Sequence, residues 1–313
     1  MKIVFFGTPS FAIPFLKALI SENGFEVIGV VTQPDKPSGR GKKILSSEVK
    51  QFAVQKGIAV FQFASLKKPE AVEALSSLCA DVFVVVAYGK IIPNQILNIP
   101  PKGVVNVHPS MLPKYRGPSP MQWAILNGDK KTGISIMLLD EGMDTGPILK
   151  QTSIDLSENE TTKSLETKIH SVGPKFLCEV LKSYEKGNCA PFKQKKDGAS
   201  GTRLLTKEDG QINWDTDAKS IERIIRAYTE WPTAWSKIKI NNKTTRLKIL
   251  QAKVVQKNFN KPNGTLIEDG GKLFIAVNSE ALELMTLQPE GKSQMPVQAF
   301  LAGRKDWIGK IFE

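Results

Sequence analysis

The chain has 313 residues, with 43 Lys and Arg against 31 Asp and Glu, for a formal net charge of +12. A hydrophobic share of 41% and a charged share of 24% exclude wholesale disorder. At roughly 150 residues per domain, the length points to about two domains. Three cysteines (Cys79, Cys178, Cys189) and two histidines make neither a disulfide framework nor a zinc site. No apolar run approaches the roughly 18 residues of a membrane span, so a cytoplasmic protein without a metal or a membrane anchor is expected. The excess positive charge points to a polyanionic partner.

Residues 2–6 form an apolar strand-like run ending in Gly7, and 11–20 follow with helical spacing (Phe11, Phe15, Leu16, Leu19). A second strand is predicted over 25–32, then a basic Gly/Pro loop over 33–43. A helix follows over 49–56, a strand over 58–61, and a helix over 71–78 with Pro69 near its start. Residues 81–87 are apolar on both faces, as in a central parallel strand. Further strands fall at 104–107 and 134–139. Residues 161–186 read as one long helical stretch, with Gly173-Pro174 marking where a break would fall. This alternation predicts a doubly wound, mostly parallel, Rossmann-like sheet over residues 1–187. Residues 188–207 are polar and basic, as suits a linker. Over 208–313 one helix (218–228) and five short strands (234–240, 246–255, 264–267, 273–277, 281–287) predict a smaller OB-like β-barrel.

In an open α/β sheet, ligands bind beyond the carboxyl ends of the strands. The first such turn, Gly7-Thr8-Pro9-Ser10, lacks the glycine spacing of a dinucleotide site. The strongest constellation is Asn106-Val107-His108-Pro109-Ser110 at the end of one strand. Alternation sends Asn106 and His108 to the same side. The loop Asp140-Glu141-Gly142-Met143-Asp144-Thr145-Gly146 follows the next strand and can reach the same rim. An amide, an imidazole and a carboxylate at one rim suit acyl transfer to an amine. Asn106 can donate to a developing oxyanion, and His108 can do so when protonated or can shuttle a proton. Asp144 can raise the His108 pKa or relay a proton. Spacing alone leaves the purely structural roles open: a turn held by Asn106, a satisfied strand-end histidine, and a cap by Asp144. No Ser or Cys sits in a nucleophile elbow, so direct transfer is expected rather than a covalent intermediate.

The strings Asn106-Val107-His108-Pro109-Ser110-Met111-Leu112-Pro113-Lys114-Tyr115-Arg116-Gly117 and Gly142-Met143-Asp144-Thr145-Gly146 resemble the folate-dependent formyltransferase family. So do Phe6-Gly7-Thr8-Pro9, the loop 33–43, and Ala227-Tyr228-Thr229-Glu230-Trp231-Pro232-Thr233-Ala234-Trp235. Only Gly198-Ala199-Ser200-Gly201 departs from the family's linker. The resemblance implies that the formyl group of 10-formyltetrahydrofolate passes to the free amino group of methionine esterified to initiator tRNA. It makes Asn106, His108 and Asp144 the catalytic set. It places Ser110, Met111, Leu112 and Pro113 along the folate, with Tyr88 and Gly89 presenting backbone to the pterin. Arg116-Gly117 would support the loop or meet the folate tail. It implies no metal, a monomer, and tRNA read at its acceptor end. The basic loop over 33–43, with Arg40, Lys42 and Lys43, would order on that end. Residues 231–267 carry eight basic residues and no acid, a candidate phosphate-binding stripe that includes Lys237 and Lys248. The alternatives are another folate-dependent formyltransferase, acting on an amino-sugar nucleotide or glycinamide ribonucleotide, and a noncatalytic RNA-binding module.

Overall fold

A computed structural model describes residues 1–38, 43–241 and 243–313. The chain divides into two compact units. One comprises residues 1–120, 131–155 and 166–203; the other comprises 121–130, 156–165 and 204–313.

The first unit begins with β1 (Lys2–Gly7), α1 (Ile13–Ser21) and β2 (Glu26–Val31). A short antiparallel ribbon, β3 (Lys36–Ser38) and β4 (Lys43–Leu45), then stands where a plain loop was expected. Arg40 and Lys42 lie outside the described residues. Next come α2 (Glu48–Gln55), β5 (Val60–Phe61), α3 (Pro69–Ser76), β6 (Val82–Val86), α4 (Asn94–Leu97) and β7 (Val104–His108). After α5 (Pro120–Leu126), the strands β8 (Lys131–Leu138) and β9 (Ile148–Asp155) lead into α6 (Thr162–Glu185). The seven-stranded sheet runs β5-β2-β1-β6-β7-β8-β9. Its first five members are parallel, and β8 and β9 are antiparallel.

The central strands β1 and β6 are buried on both faces, from Ile3 to Phe6 and from Val82 to Val86. At about 1.5–3 kcal/mol for each fully buried large apolar side chain, this ladder dominates the unit's stability. It makes the carboxyl ends of the strands a rigid rim. Local signals agree with the packing. The Ser47 hydroxyl caps α2 by accepting the Lys50 amide at 3.1 Å. The strand β9 was not anticipated, because Lys150-Gln151-Thr152-Ser153 carries no apolar alternation; it is an edge strand.

The expected break at Gly173-Pro174 does not occur, and α6 runs unbroken through Pro174. Gly173 lies against α1 and β8, where a Cβ would come within 2.8 Å of the Phe15 ring and 3.0 Å of Ile134. The missing side chain at Gly173 lets the helix approach Phe15 and Ile134 closely just before Pro174.

In the second unit, α7 (Ala218–Ala227) is capped by the Asp217 carboxylate, which accepts the Ser220 amide at 2.9 Å. Hydrogen bonding from the Ser220 hydroxyl, then from the Ser220 amide, holds the Asp217 carboxyl below the usual range. Strands β10 (Ala234–Ile240), β11 (Lys243–Val255), β12 (Leu266–Asp269), β13 (Lys272–Val277) and β14 (Glu280–Pro289) form an antiparallel sheet in the order β10-β11-β14-β13-β12. A two-residue β15 (Met295–Pro296) joins β14, and α8 (Val297–Gly303) follows. The chain's last residues bond both sheet edges. Gly309 and Phe312 donate to the Leu266 and Gly264 carbonyls (2.7 and 3.0 Å), while Glu313 donates to Lys237 (2.8 Å). This tail curls the sheet toward the expected barrel. Phe312 stacks at 5.6 Å on Trp214, whose indole donates to Ser236 Oγ.

Phe312 is 5% exposed and supplies both the tail's apolar anchor and part of this core. Phe312→Ala is expected to destabilise the second unit by about 3–5 kcal/mol, read by urea denaturation followed on tryptophan fluorescence. A loss below about 1 kcal/mol would show that the tail does not anchor the sheet.

Candidate active site

The end of β7 presents Asn106 and His108, two residues apart, on one face. β8 pairs His108 with Ser135 and Asn106 with Met137, so both side chains are registered by backbone ladders. The facing loop is folded by Asp140, whose Oδ1 accepts the Gly142 amide at 3.1 Å and the Thr145 hydroxyl at 2.7 Å. Gly146 closes the loop. A Cβ there would stand 1.9 Å from the Leu138 carbonyl oxygen, so any other residue would push the loop off β8. Asp144 itself has φ +52°, in the left-handed region that Asp tolerates better than most residues.

The loop aims Asp144 at the strand end. Its Oδ2 accepts the Gly117 amide at 2.7 Å and lies 3.5 Å from His108 Nδ1. Its Oδ1 lies 3.5 Å from Asn106 Nδ2. Two of the side chains singled out from the sequence, Asn106 and His108, therefore converge on the third, the Asp144 carboxylate. Of the other acids in the loop, Asp140 folds it, and Glu141 accepts from Asn94 at 2.5 Å.

His108 is buried, and its Nε2 lies 2.9 Å from the Tyr115 carbonyl oxygen. A carbonyl only accepts, so in the neutral ring Nε2 carries the proton and Nδ1 turns a lone pair toward Asp144. Burial holds the His108 pKa below its ordinary 6.5; the Asp144 charge and the Tyr115 carbonyl push upward but do not prevail. The upward pull expected of Asp144 is present and is outweighed by desolvation. The site thus combines an amide donor, a neutral proton acceptor and a carboxylate, without a nucleophile. Among the described residues, no group of three or more His, Cys, Asp or Glu side chains could hold a metal ion.

The stretch after His108 is locked to β8 and β9. Ser110 is fully buried, and its hydroxyl donates to the Lys114 carbonyl at 2.6 Å. The Ser135 hydroxyl donates to the Ser110 carbonyl at 2.6 Å and accepts the Leu112 amide at 3.1 Å. Gln151 donates to the Leu112 carbonyl at 2.9 Å. Leu112 packs with Met137 and Ile148, and Met111 lies over Gly133. Pro113 accepts the Ser200 amide at 3.2 Å. The Tyr88 side chain is buried edge-on against Phe6, and burial pushes its pKa up to about 12. The Tyr88 carbonyl accepts from Thr8 and Gln33, both at 2.9 Å. Gly89 adjoins it with φ +78°.

Of the basic candidates, Lys43 opens β4. Lys237 is exposed on β10, opposite Arg246 on β11, and Lys248 pairs with Trp235. Arg246 stacks 4.1 Å over the Trp235 ring. Two members of the stripe meet acids from later strands. Lys253 lies 3.4 Å from Glu283, and Lys257 pairs with Asp269. The stripe is acid-free in sequence but not in space.

The sequence did not reveal the role of residues 191–203, which form a strap along the site loops. Phe192 and Ile148 exchange two backbone hydrogen bonds at 2.9 and 2.8 Å. Arg116 donates its amide to the Ser200 carbonyl at 2.9 Å, and Thr202 donates its amide to Arg116. The Ser200 hydroxyl accepts the Tyr115 amide at 2.9 Å. Gln194 bridges the Arg116 side chain to the Asp144 turn. Arg116, Asp140, Thr145, Gln194 and Lys195 are among the residues lining an adjoining cavity of about 730 Å³.

The formyl transferase family profile matches residues 1–181, and that of the formyl transferase C-terminal domain matches 204–305. The chain belongs to the formyl transferase family. It is 42% identical to a methionyl-tRNA formyltransferase of Caldanaerobacter subterraneus subsp. tengcongensis, with all of both chains aligned. Its fold is similar to an N-formyltransferase of Helicobacter canadensis solved with folinic acid and dTDP-3-aminofucose. That match has TM-score 0.66 and 20% identity, and covers 91% of this chain and 98% of the other. It is also similar to HypX of Aquifex aeolicus in complex with tetrahydrofolic acid (TM-score 0.62, 17% identity, 96% of this chain). The chain spans 47% of the HypX chain.

Asp144→Asn keeps an acceptor for Gly117 but removes the charge that lifts the His108 pKa. The His108 titration, followed by ring-proton NMR, is expected to move further below 6.5. Only two histidines are present, so a His170→Gln variant assigns the signals. The folded pKa lies below the unfolded one, so the unfolded chain binds more protons between the two values. Stability therefore rises with pH across that window, and the Asn variant should widen it. An upward shift would contradict this account.

Proposed function

We propose that the chain transfers the formyl group of 10-formyltetrahydrofolate to the free α-amino group of methionine esterified to initiator tRNA, giving N-formylmethionyl-tRNA. One observation carries the reading of the chemistry: Asn106 and His108 converge on a single partly buried carboxylate, that of Asp144. The full-length 42% identity to a methionyl-tRNA formyltransferase supports the substrate pair. The neutral amine attacks the formyl carbon, and the carbonyl oxygen becomes an oxyanion. Asn106 Nδ2 is only loosely tied to Asp144, so it is free to donate to that oxygen; such a donor is worth roughly 2.7–4 kcal/mol. His108 Nδ1 accepts the proton leaving the attacking nitrogen. Asp144 stabilises the imidazolium, and the proton passes to the departing folate nitrogen as the old C–N bond breaks.

Ser110, Met111, Leu112, Pro113, Tyr88 and Gly89 define the folate side of this site. The clamping of 110–113 by Ser135 and Gln151 supports a preformed wall. Arg40, Lys42 and Lys43 read the acceptor end. Lys237 and Lys248, which have no ion pair among the described residues, meet phosphate on the second unit. The second unit, with its preceding linker, serves tRNA binding, and the enzyme works as a cytoplasmic monomer. Among the described residues no helix is long and apolar enough to cross a membrane.

Incubation with 10-formyltetrahydrofolate and Met-tRNA is expected to yield formyl-methionine. Formylation of an amino-sugar nucleotide or glycinamide ribonucleotide instead would replace the proposed acceptor. Asn106→Ala and His108→Ala are each expected to cut turnover at least about a hundredfold with tRNA affinity nearly unchanged. Near-normal single-turnover rates in both would sink the assignment. Replacing Lys237 and Lys248 with Gln should lower the slope of log K against log salt by roughly 1–2. The same change at Lys253 and Lys257, already paired with acids, should lower it less.

A further inference from the structure

Gln194 sits at the midpoint of three constraints. Its Nε2 donates to the carbonyls of Asp144 and Gly146, each at 2.8 Å. Its Oε1 accepts from Arg116 Nε at 3.0 Å and Nη2 at 2.8 Å. Carbonyls only accept and guanidinium only donates, so these partners fix the amide orientation without ambiguity. Two residues earlier, the Phe192–Ile148 bridge docks the strap to the start of β9 and sets where Gln194 falls. The Arg116–Gly201 bridge holds the other end of the strap.

The two carbonyls it grips flank the turn that carries the reactive carboxylate. Asp144 holds φ +52°, a conformation that an L-residue keeps only when its surroundings over-determine it. The intraloop bonds from the Gly142 amide and the Thr145 hydroxyl to Asp140 tie the loop on either side of this residue through the Asp140 carboxylate. Among the described side chains, Gln194 is the one that bonds the backbone on the downstream side, at Asp144 and Gly146. The carboxylate meets His108 at 3.5 Å, a distance at which a small rotation of the turn decides whether the two groups interact.

We infer that Gln194 is a positioning residue, clamping the Asp144 turn so that its carboxylate faces His108 while anchoring Arg116 in the adjoining cavity wall. The inference rests on the reading of His108 and Asp144 as the reacting pair. It assigns a function to a side chain in a stretch whose composition looked like a linker.

Gln194→Glu keeps both acceptor contacts with Arg116 and loses both donations to the turn. Gln194→Leu removes all four bonds and serves as the extreme. The groups facing the His108 ring are the Asp144 carboxylate and the Tyr115 carbonyl, and only the first depends on the clamp. Loosening the turn withdraws the charge that lifts the His108 pKa. The His108 NMR titration in Gln194→Leu, which adds no charge, should therefore shift downward, in the direction set by Asp144→Asn. Turnover should fall about tenfold with KM for folate and tRNA within twofold, because misplacement of a catalytic group acts on the chemical step. An unmoved His108 titration in Gln194→Leu, with His170 confirming the fold, would overturn the inference even if activity fell. A shifted His108 titration with unchanged turnover would uphold the clamp and contradict the catalytic reading of the pair.

Discussion

The site is organised around one carboxylate held where water is scarce. Asp144 accepts the Gly117 amide and stands 3.5 Å from both the His108 ring and the Asn106 amide. A charge in such a setting acts strongly on its neighbours because little solvent screens it. The same burial that strengthens Asp144 also disfavours an imidazolium, so His108 rests neutral. On the proposed mechanism, these opposed effects leave a ring that takes a proton and then finds its counter-charge in place. A fully solvated pair would gain little from either effect.

The fold supplies this arrangement in layers. The doubly buried strands β1 and β6 give a rim that does not yield, and β7 and β8 register Asn106 and His108 upon it. Loops then bring what strands cannot. Gly146 lets the Asp144 turn close on β8, and Ser135 with Gln151 pins the stretch after His108. Residues 191–203 tie these loops together through bonds to Pro113, Tyr115, Arg116 and Asp144. Activity grafted onto loops in this way depends on such cross-links, because loops lack the ladders that stiffen strands. The basic surface of the second unit follows similar logic: later strands return Glu283 and Asp269 to part of the lysine stripe and leave Lys237 and Lys248 without an ion pair among the described residues.

Much of this was legible in the sequence, for identifiable reasons. Apolar runs bounded by glycine and proline revealed β1, β2, β6 and β7, since burial on both faces leaves a strong compositional mark. The period of two places Asn106 and His108 on one side of their strand. Other features left no such mark. The edge strand β9 is polar, and α6 passes through Pro174, with Gly173 close against Phe15. The tail that bonds both edges of the second unit's sheet, and the strap through Gln194, depend on partners dozens of residues away. Nothing in local periodicity encodes such pairings. The lysine stripe is free of acids only along the sequence, since counter-charges for Lys253 and Lys257 arrive on distant strands.

The central claim is that Asn106, His108 and Asp144 act as one unit in formyl transfer to an amine. Single-turnover rates with 10-formyltetrahydrofolate and Met-tRNA, measured for each alanine variant and for the triple variant, test it most directly. Residues that work as a unit lose most of their effect when the first is removed. The account predicts a triple variant no more than a few-fold slower than the slowest single variant. Losses that multiply across the three sites would show independent contributions and contradict it.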